Sequence, residues 1–241
     1  MSGFDSDTID KILALAESEV VNIDGRDYLK TIHDLNGVRP PDVDVISTSL
    51  LQGVVDFMDT EGIEPEDVFL HVRSASDVVL SGKMRQAWRD RESFVHAEAH
   101  RCGFSFSHWY GHEEFIIALM TQFEQCDDVA KILSITGNIA DARVIERSDD
   151  GVTQEVTLKE GLTRKAEAKI ENPFELSPYR TFIDLPKQPA SKFIFRMKSG
   201  QGSGMPTFAL FQADGELWQM EAIRMIVDWF KGKNEALKVV A

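Results

Sequence analysis

Residues 94–115 read FVHAEAHRCGFSFSHWYGHEEF and gather four of the chain's six histidines, Cys102 and three glutamates. If the first part is a strand, alternate side chains share a face, and His96, Glu98 and His100 point the same way. Two imidazoles and a carboxylate are a workable donor set for zinc or iron. His108 and His112, four apart at the entrance to a helix, supply further candidate ligands. The same alternation has a plainer reading: a polar strand face set against apolar Phe94, Val95, Ala97 and Ala99. H-x-E-x-H is not the helical H-E-x-x-H of a metalloprotease, and Cys102 lacks a second cysteine at finger spacing. The expectation is therefore no cofactor, with a divalent metal at His96, Glu98 and His100 as the alternative.

Cationic side chains form the second candidate. In KMRQAWRDR, Lys83, Arg85, Arg89 and Arg91 surround Trp88. Guanidinium groups beside an indole can hold a phosphate and stack a base. The competing reading is a solvated turn anchored by its tryptophan. Arg180, Lys192, Arg196 and Lys198 make a later basic group. Taken together, Arg85, Trp88, Arg89, Arg180, Arg196 and Lys198 are the candidate ligand-binding residues. Gly200, Gly202 and Gly204 resemble a phosphate loop in composition, but a strand follows them where a helix N-terminus is needed, so a hairpin loop is expected. No G-x-S-x-G elbow, P-loop or kinase signature is present, and the spacing of histidines and carboxylates selects no catalytic set.

Charge narrows the partners. The net charge is −14 over 241 residues, and residues 1–70 hold 16 acidic against 4 basic side chains. That third repels a phosphate backbone, which disfavours nucleic acid there. No apolar run approaches a membrane span, the first residues lack a signal peptide's pattern, and two cysteines make no disulfide framework. A cytoplasmic location and no membrane partner are expected.

Elements follow from periodicity. Residues 5–20 and 47–60 read as amphipathic helices, the second capped by Ser47 or Thr48, with an Asp24-Gly25 hairpin turn between them and a linker at Arg39-Pro40-Pro41. From Val68 the rhythm shifts to strands: VFLHVR, DVVLS and SFVHAEAH. Helix returns at 112–136, broken near Cys126-Asp127-Asp128. Then come ARVIER and VTQEVTLKE around Asp149-Asp150-Gly151, followed by KAEAKIENPF, YRTFIDL, KFIFRMK and TFALFQA. A third Asp-Gly turn at Asp214-Gly215 precedes a closing helix over about 219–232. Blocks of helices and strands joined by tight turns predict an α+β fold with mostly antiparallel sheet. The expected division is an acidic N-terminal region, 1–62, and an α+β main domain, 63–241, or one integrated domain.

Several stretches in order resemble one family: YLKTIHDLNGVRPP, ESFVHAEA, EEFIIALMTQFEQCDDVAKILSITGNIADA, DDGVTQEVTLKEG, and PFELSPYRTFIDLP followed by KFIFRMK. With the closing helix they resemble the YfdQ-like proteins of phages and prophages, over about residues 20–232. The resemblance implies a non-structural phage protein with no established activity, and it transfers no functional residue.

The leading expectation is a non-catalytic phage protein acting by self-assembly and binding in the host cytoplasm, because closing-helix residues Met225, Ile226, Trp229 and Phe230 need cover from their own domain or a neighbour. A homo-oligomer is expected, with a host protein or nucleotide as further partner. The rivals are a counter-defence protein sequestering a nucleotide signal or host factor, an accessory to phage DNA replication or recombination, and a metal-dependent enzyme.

Overall fold

The computed structural model describes residues 20–23, 26–29, 33–34, 42–86, 88–100, 103–139, 143–149, 153–160, 164–199 and 206–241. The fold is α+β. The predicted helix over 5–20, the Arg39-Pro40-Pro41 linker, the Asp24-Gly25 turn and the Gly200–Gly204 loop fall outside these residues or on their margins. The strands flanking Asp24-Gly25 do pair: β1 (Val20–Ile23) and β2 (Arg26–Leu29) are antiparallel, Ile23 opposite Arg26, and β3 (His33–Asp34) adds to β2.

A five-stranded sheet follows. Its members are β4 (Ile46–Thr48), β5 (Val68–Ser74), β6 (Asp77–Gly82), β7 (Ser93–Glu98) and β14 (Val239–Val240), in the order β14-β5-β6-β7-β4. The central pairs are antiparallel, as the tight turns predict, while both edge strands run parallel to their neighbours. Alternation decides the faces. Val68, Leu70 and Val72 of β5, Val78 and Leu80 of β6, and Val95 and Ala97 of β7 lie on one side, fully buried or nearly so. Two helices cover that side: α1 (Leu51–Glu61) through Leu51, Val54 and Met58, and α4 (Trp218–Lys233) through Ala222, Ile226 and Phe230. Ile226 and Phe230 of the closing helix are thus covered by its own sheet, with Met225 and Trp229 packed at the margin, so these four residues require no neighbour. β4 and α1 precede residue 62 yet belong to this sheet and core.

α1 starts later than its periodicity suggests, because 46–48 is drawn into the sheet as β4. Neither Ser47 nor Thr48 is the N-cap. Leu50 occupies that position, the Thr48 hydroxyl accepts from the Leu50 N–H at 3.2 Å, and the Gln52 N–H donates to Asp184 Oδ2 at 2.8 Å. The capping oxygen comes from far along the chain. Two glycines are dictated locally. A Cβ on Gly53 would lie 2.5 Å from Thr48 Oγ1, and Gly62 closes α1 at φ 64°, where a side chain is strained.

A second core is aromatic. The predicted helical break is present: α2 (His112–Gln122) ends and α3 (Asp127–Ile139) begins with Asp127 and Asp128 in its first turn. Both pack on the sheet of β11 (Phe174–Leu176), β12 (Ser191–Ser199) and β13 (Pro206–Gln212). Phe115 of α2 meets Phe195 of β12 and Phe208 of β13 at 5.7 and 5.4 Å, and Phe195 and Phe208 lie nearly parallel. β8 (Arg143–Asp149), β9 (Thr153–Glu160) and β10 (Arg164–Glu171) form a separate antiparallel sheet, with Ile170 reaching the aromatic core.

YRTFIDL is not a strand. It lies in a loop, 177–190, that joins the two cores. Phe182 and Leu185 enter the aliphatic core, and the Thr181 hydroxyl donates to the Ala75 carbonyl next to β6. Gln188 pins the loop: its Oε1 accepts from the Arg180 and Thr181 N–H groups, its Nε2 donates to the Phe182 carbonyl, and its own N–H donates to Glu124 beyond α2. These contacts occupy backbone groups that a strand would give to a neighbour.

Candidate functional site

The face of the five-stranded sheet opposite α1 and α4 carries the histidine candidates. Val79 of β6 pairs with both His71 of β5 and His96 of β7, and Ser47 of β4 pairs with His96. Paired residues share a face, so a row runs His71, Val79, His96, Ser47 across the strands. Asp77 stands one step away on β6: its Oδ1 is 3.0 Å from His96 Nε2 and its Oδ2 is 3.9 Å from Arg73 Nη1. That contact orients the imidazole.

Beside this row an open cavity of about 480 Å³ is lined by Ser47, Thr48, Ser49, His96, Glu98 and His100. The alternation read from the sequence therefore brings the three candidate metal ligands to one hollow. Among the described residues, however, no group of three or more histidine, cysteine, aspartate or glutamate side chains is placed to hold an ion. His108 and His112 serve elsewhere. His108 packs edge-on to Tyr110 at 5.0 Å, and His112 Nε2 lies 3.1 Å from the Thr136 carbonyl, tying α2 to α3. Cys126 is an exposed thiol, and Cys102 lies outside the described residues. The hollow offers hydroxyls, imidazoles and a carboxylate: hydrogen-bonding groups for a polar ligand.

The Trp88 cluster sits in the connection between β6 and β7, and its chemistry is turned inward. Arg85 presents a fork to Asp90 at 2.9 and 3.1 Å, reaches Asp42 at 2.9 Å, and has Glu92 at 3.7 Å. Hydrogen bonds to Asp90 and then Asp42 hold its guanidinium protonated even more firmly than usual. The Trp88 ring lies 5.9 Å from that guanidinium. Arg89 projects into solvent from a left-handed position, φ 54°. Arg91 donates to the Gly82 carbonyl and covers the Phe69 ring at 4.8 Å. With three carboxylates around one guanidinium, Arg85 acts as a clasp between the chain before β4 and the β6–β7 turn.

The later basic group is divided by β12. Phe193, Phe195 and Met197 point into the aromatic core, which leaves Lys192, Arg196 and Lys198 on the other face. Lys198 places its ammonium 4.1 Å above the Trp109 ring. Arg180 is on the core side and buried. Its guanidinium lies 3.9 Å from the Trp218 ring centre, with Phe106 and Phe193 at 5.7 and 5.8 Å, and it donates to the Ser191 hydroxyl. Arg85, Trp88 and Arg89 thus belong to one sheet's turn, Arg196 and Lys198 to another sheet's outer face, and Arg180 to the interior.

Sequence reasoning passed over two features of the site: Asp77 as the partner of His96, and Ser47–Ser49 as the wall of the hollow. The first had a faint signal, an aspartate at the start of an apolar strand. The second had none, since STS reads as a helix cap.

No family model matches this chain, and no curated protein or solved structure matches it significantly. Nor is any described helix long and apolar enough to cross a membrane.

Proposed function

We propose that this chain is a non-catalytic protein of phage or prophage origin that works in the host cytoplasm by self-assembly and binding. The phage origin is supported by the ordered sequence stretches alone. The binding role is supported by the disposition of charge and apolar surface. Arg85 is spent on carboxylates and Arg180 on aromatic rings, so neither is poised toward a reacting group. Apolar side chains that a lone domain would cover are left outside.

The observation that carries the reading is the run Val43, Val45 and Ile46, which leads into the edge strand β4 and is exposed by 51, 48 and 50%. A second outward pair, Ile117 and Met120 on α2, is exposed by 53 and 60%. Light scattering on the eluting native particle tests the reading. A mass at a multiple of the 27.1 kDa chain is expected, and a monomer at every concentration removes self-assembly.

The nucleotide-sequestering alternative has one physical foothold, the Lys198–Trp109 pair, where an ammonium and an indole adjoin on a sheet face. Calorimetric titration with linear and cyclic nucleotides tests it, and absence of heat removes it.

A further inference from the structure

We propose that the outer edge of β4 is the seam of a two-fold homodimer, in which β4 strands of two copies run antiparallel and wall the His96 hollow from both sides. This deepens the self-assembly reading and rests on it.

β4 closes the strand order on one side. It is bonded to β7 through Ile46, Ser47 and Thr48, and among the described residues no strand lies beyond it. An edge of this kind presents a row of N–H and C=O groups that another extended strand satisfies. Proteins commonly blunt such edges with lysine or proline, and DVDVISTSL (residues 42–50) contains neither. The segment is already held in place: Asp42 is bound by Arg85, and the Val43 N–H donates to Glu92 Oε1 at 2.9 Å. A preorganised strand loses little ordering entropy when a partner adds to it.

The segment's own pattern argues that the partner is a second copy. An antiparallel pair centred on Ile46 sets Ile46 against Ile46, Val45 against Ser47, Asp44 against Thr48 and Val43 against Ser49. No carboxylate opposes another, so the strand is complementary to itself. Ser47 shares a face with His96, and strand partners share faces, so the second copy's Val45 comes to lie beside Ser47 at the rim of the hollow. Pairing would convert an open depression into a pair of two-sided pockets related by the two-fold axis.

The seam is short, so association belongs to the weak class, with a dissociation constant in the micromolar range. Because each copy carries a net charge of −14, long-range repulsion opposes the encounter, and added salt tightens the dimer. A seam built on ion pairs would respond in the opposite sense.

The experiment uses the full chain and sedimentation equilibrium across the micromolar range. Ile46→Lys and Ile46→Glu each set like charges directly opposite and are expected to weaken the dimer by at least about tenfold. An equimolar mixture of the two is expected to restore it, since position 46 then faces its opposite charge. Met220→Lys, at an exposed position of α4, is the control and leaves the mass unchanged. If either Ile46 variant melts early, Val45→Lys, which faces Ser47, takes its place. A wild type that stays monomeric overturns the self-assembly reading and the seam together. A wild-type dimer that all edge variants retain overturns the seam and leaves the reading standing. Monomeric variants whose mixture remains monomeric overturn the pairing at Ile46.

Discussion

The two cores solve one problem with different materials. Around the five-stranded sheet the buried side chains are mainly aliphatic: Leu51, Val54, Leu70, Val78, Leu80 and Val95. Around β11–β13 they are mainly rings, with Phe104 stacked on Tyr110 at 4.9 Å and meeting Phe123 edge-on at 5.1 Å. Aliphatic branches fill the pleated surface of β5, β6 and β7, and Phe182, Ile226, Phe230 and Leu237 close over it from far along the chain. Rings reach further and contact one another in oriented pairs. The aromatic core joins segments from residue 104 to residue 210, and the aliphatic core segments from residue 51 to residue 237. The contrast lies in how the contacts are made: oriented ring pairs in one core, branched side chains on pleated strands in the other.

Truncation should expose the difference. Phe115→Ala removes a ring touching Phe104, Tyr110, Phe195 and Phe208, and it should cost about 3–5 kcal/mol in urea unfolding. Leu80→Ala, in a strand flanked on both sides, should cost about 3 kcal/mol. If Leu80→Ala proves the costlier, the aromatic core collapses around its cavity more readily than its ring contacts suggest.

The joint between the cores is the next target. Gln188→Ala leaves backbone N–H and C=O groups of the 177–190 loop without their amide partner, and the expected loss is about 2 kcal/mol. Its sharper effect should be on cooperativity. Trp109 beside Phe211 reports the aromatic side, and Trp229 against Phe230 the aliphatic side. Single-tryptophan versions should unfold together in the wild-type background and apart with Gln188→Ala. Coincident transitions in both backgrounds would show that other contacts carry the coupling.

The smallest effect belongs to pH. A hydrogen bond from Lys131, then the Glu175 N–H, holds the Asp128 carboxyl below the usual carboxylate range. The unfolded chain binds that proton more readily, so the stabilisation is present above the ordinary carboxylate pKa and is lost as pH falls through the lower folded value. Asp128→Asn should flatten the acid limb of a stability–pH curve, by a modest amount because the pair is partly solvated.

How much of this was legible in the sequence follows from how local each cause is. β5, β6, β7, β12 and β13 announce themselves by alternation, and the gap between α2 and α3 by Asp127 and Asp128 opening the second helix. The sharing of a face by His96, Glu98 and His100 was also readable, because it needs only strand geometry. What escaped was set from a distance. β4 became strand because β7 offered a free edge, and YRTFIDL became loop because Gln188 close by, and Ala75 and Gln122 far away, took its polar groups. Arg180 reads as a surface cation until Trp218 is folded across it. No short window along the chain holds β4 with β7, Thr181 with Ala75, or Arg180 with Trp218.

Asp184 closes the first turn of α1 from 132 positions away, and Thr181 reaches Ala75 across 106. On the ribosome, α1 therefore emerges well before the oxygen that completes its first turn. That turn waits, unfinished, for Asp184, as the Ala75 carbonyl waits for Thr181, and a chain cut short before residue 177 would lack the strap that supplies both.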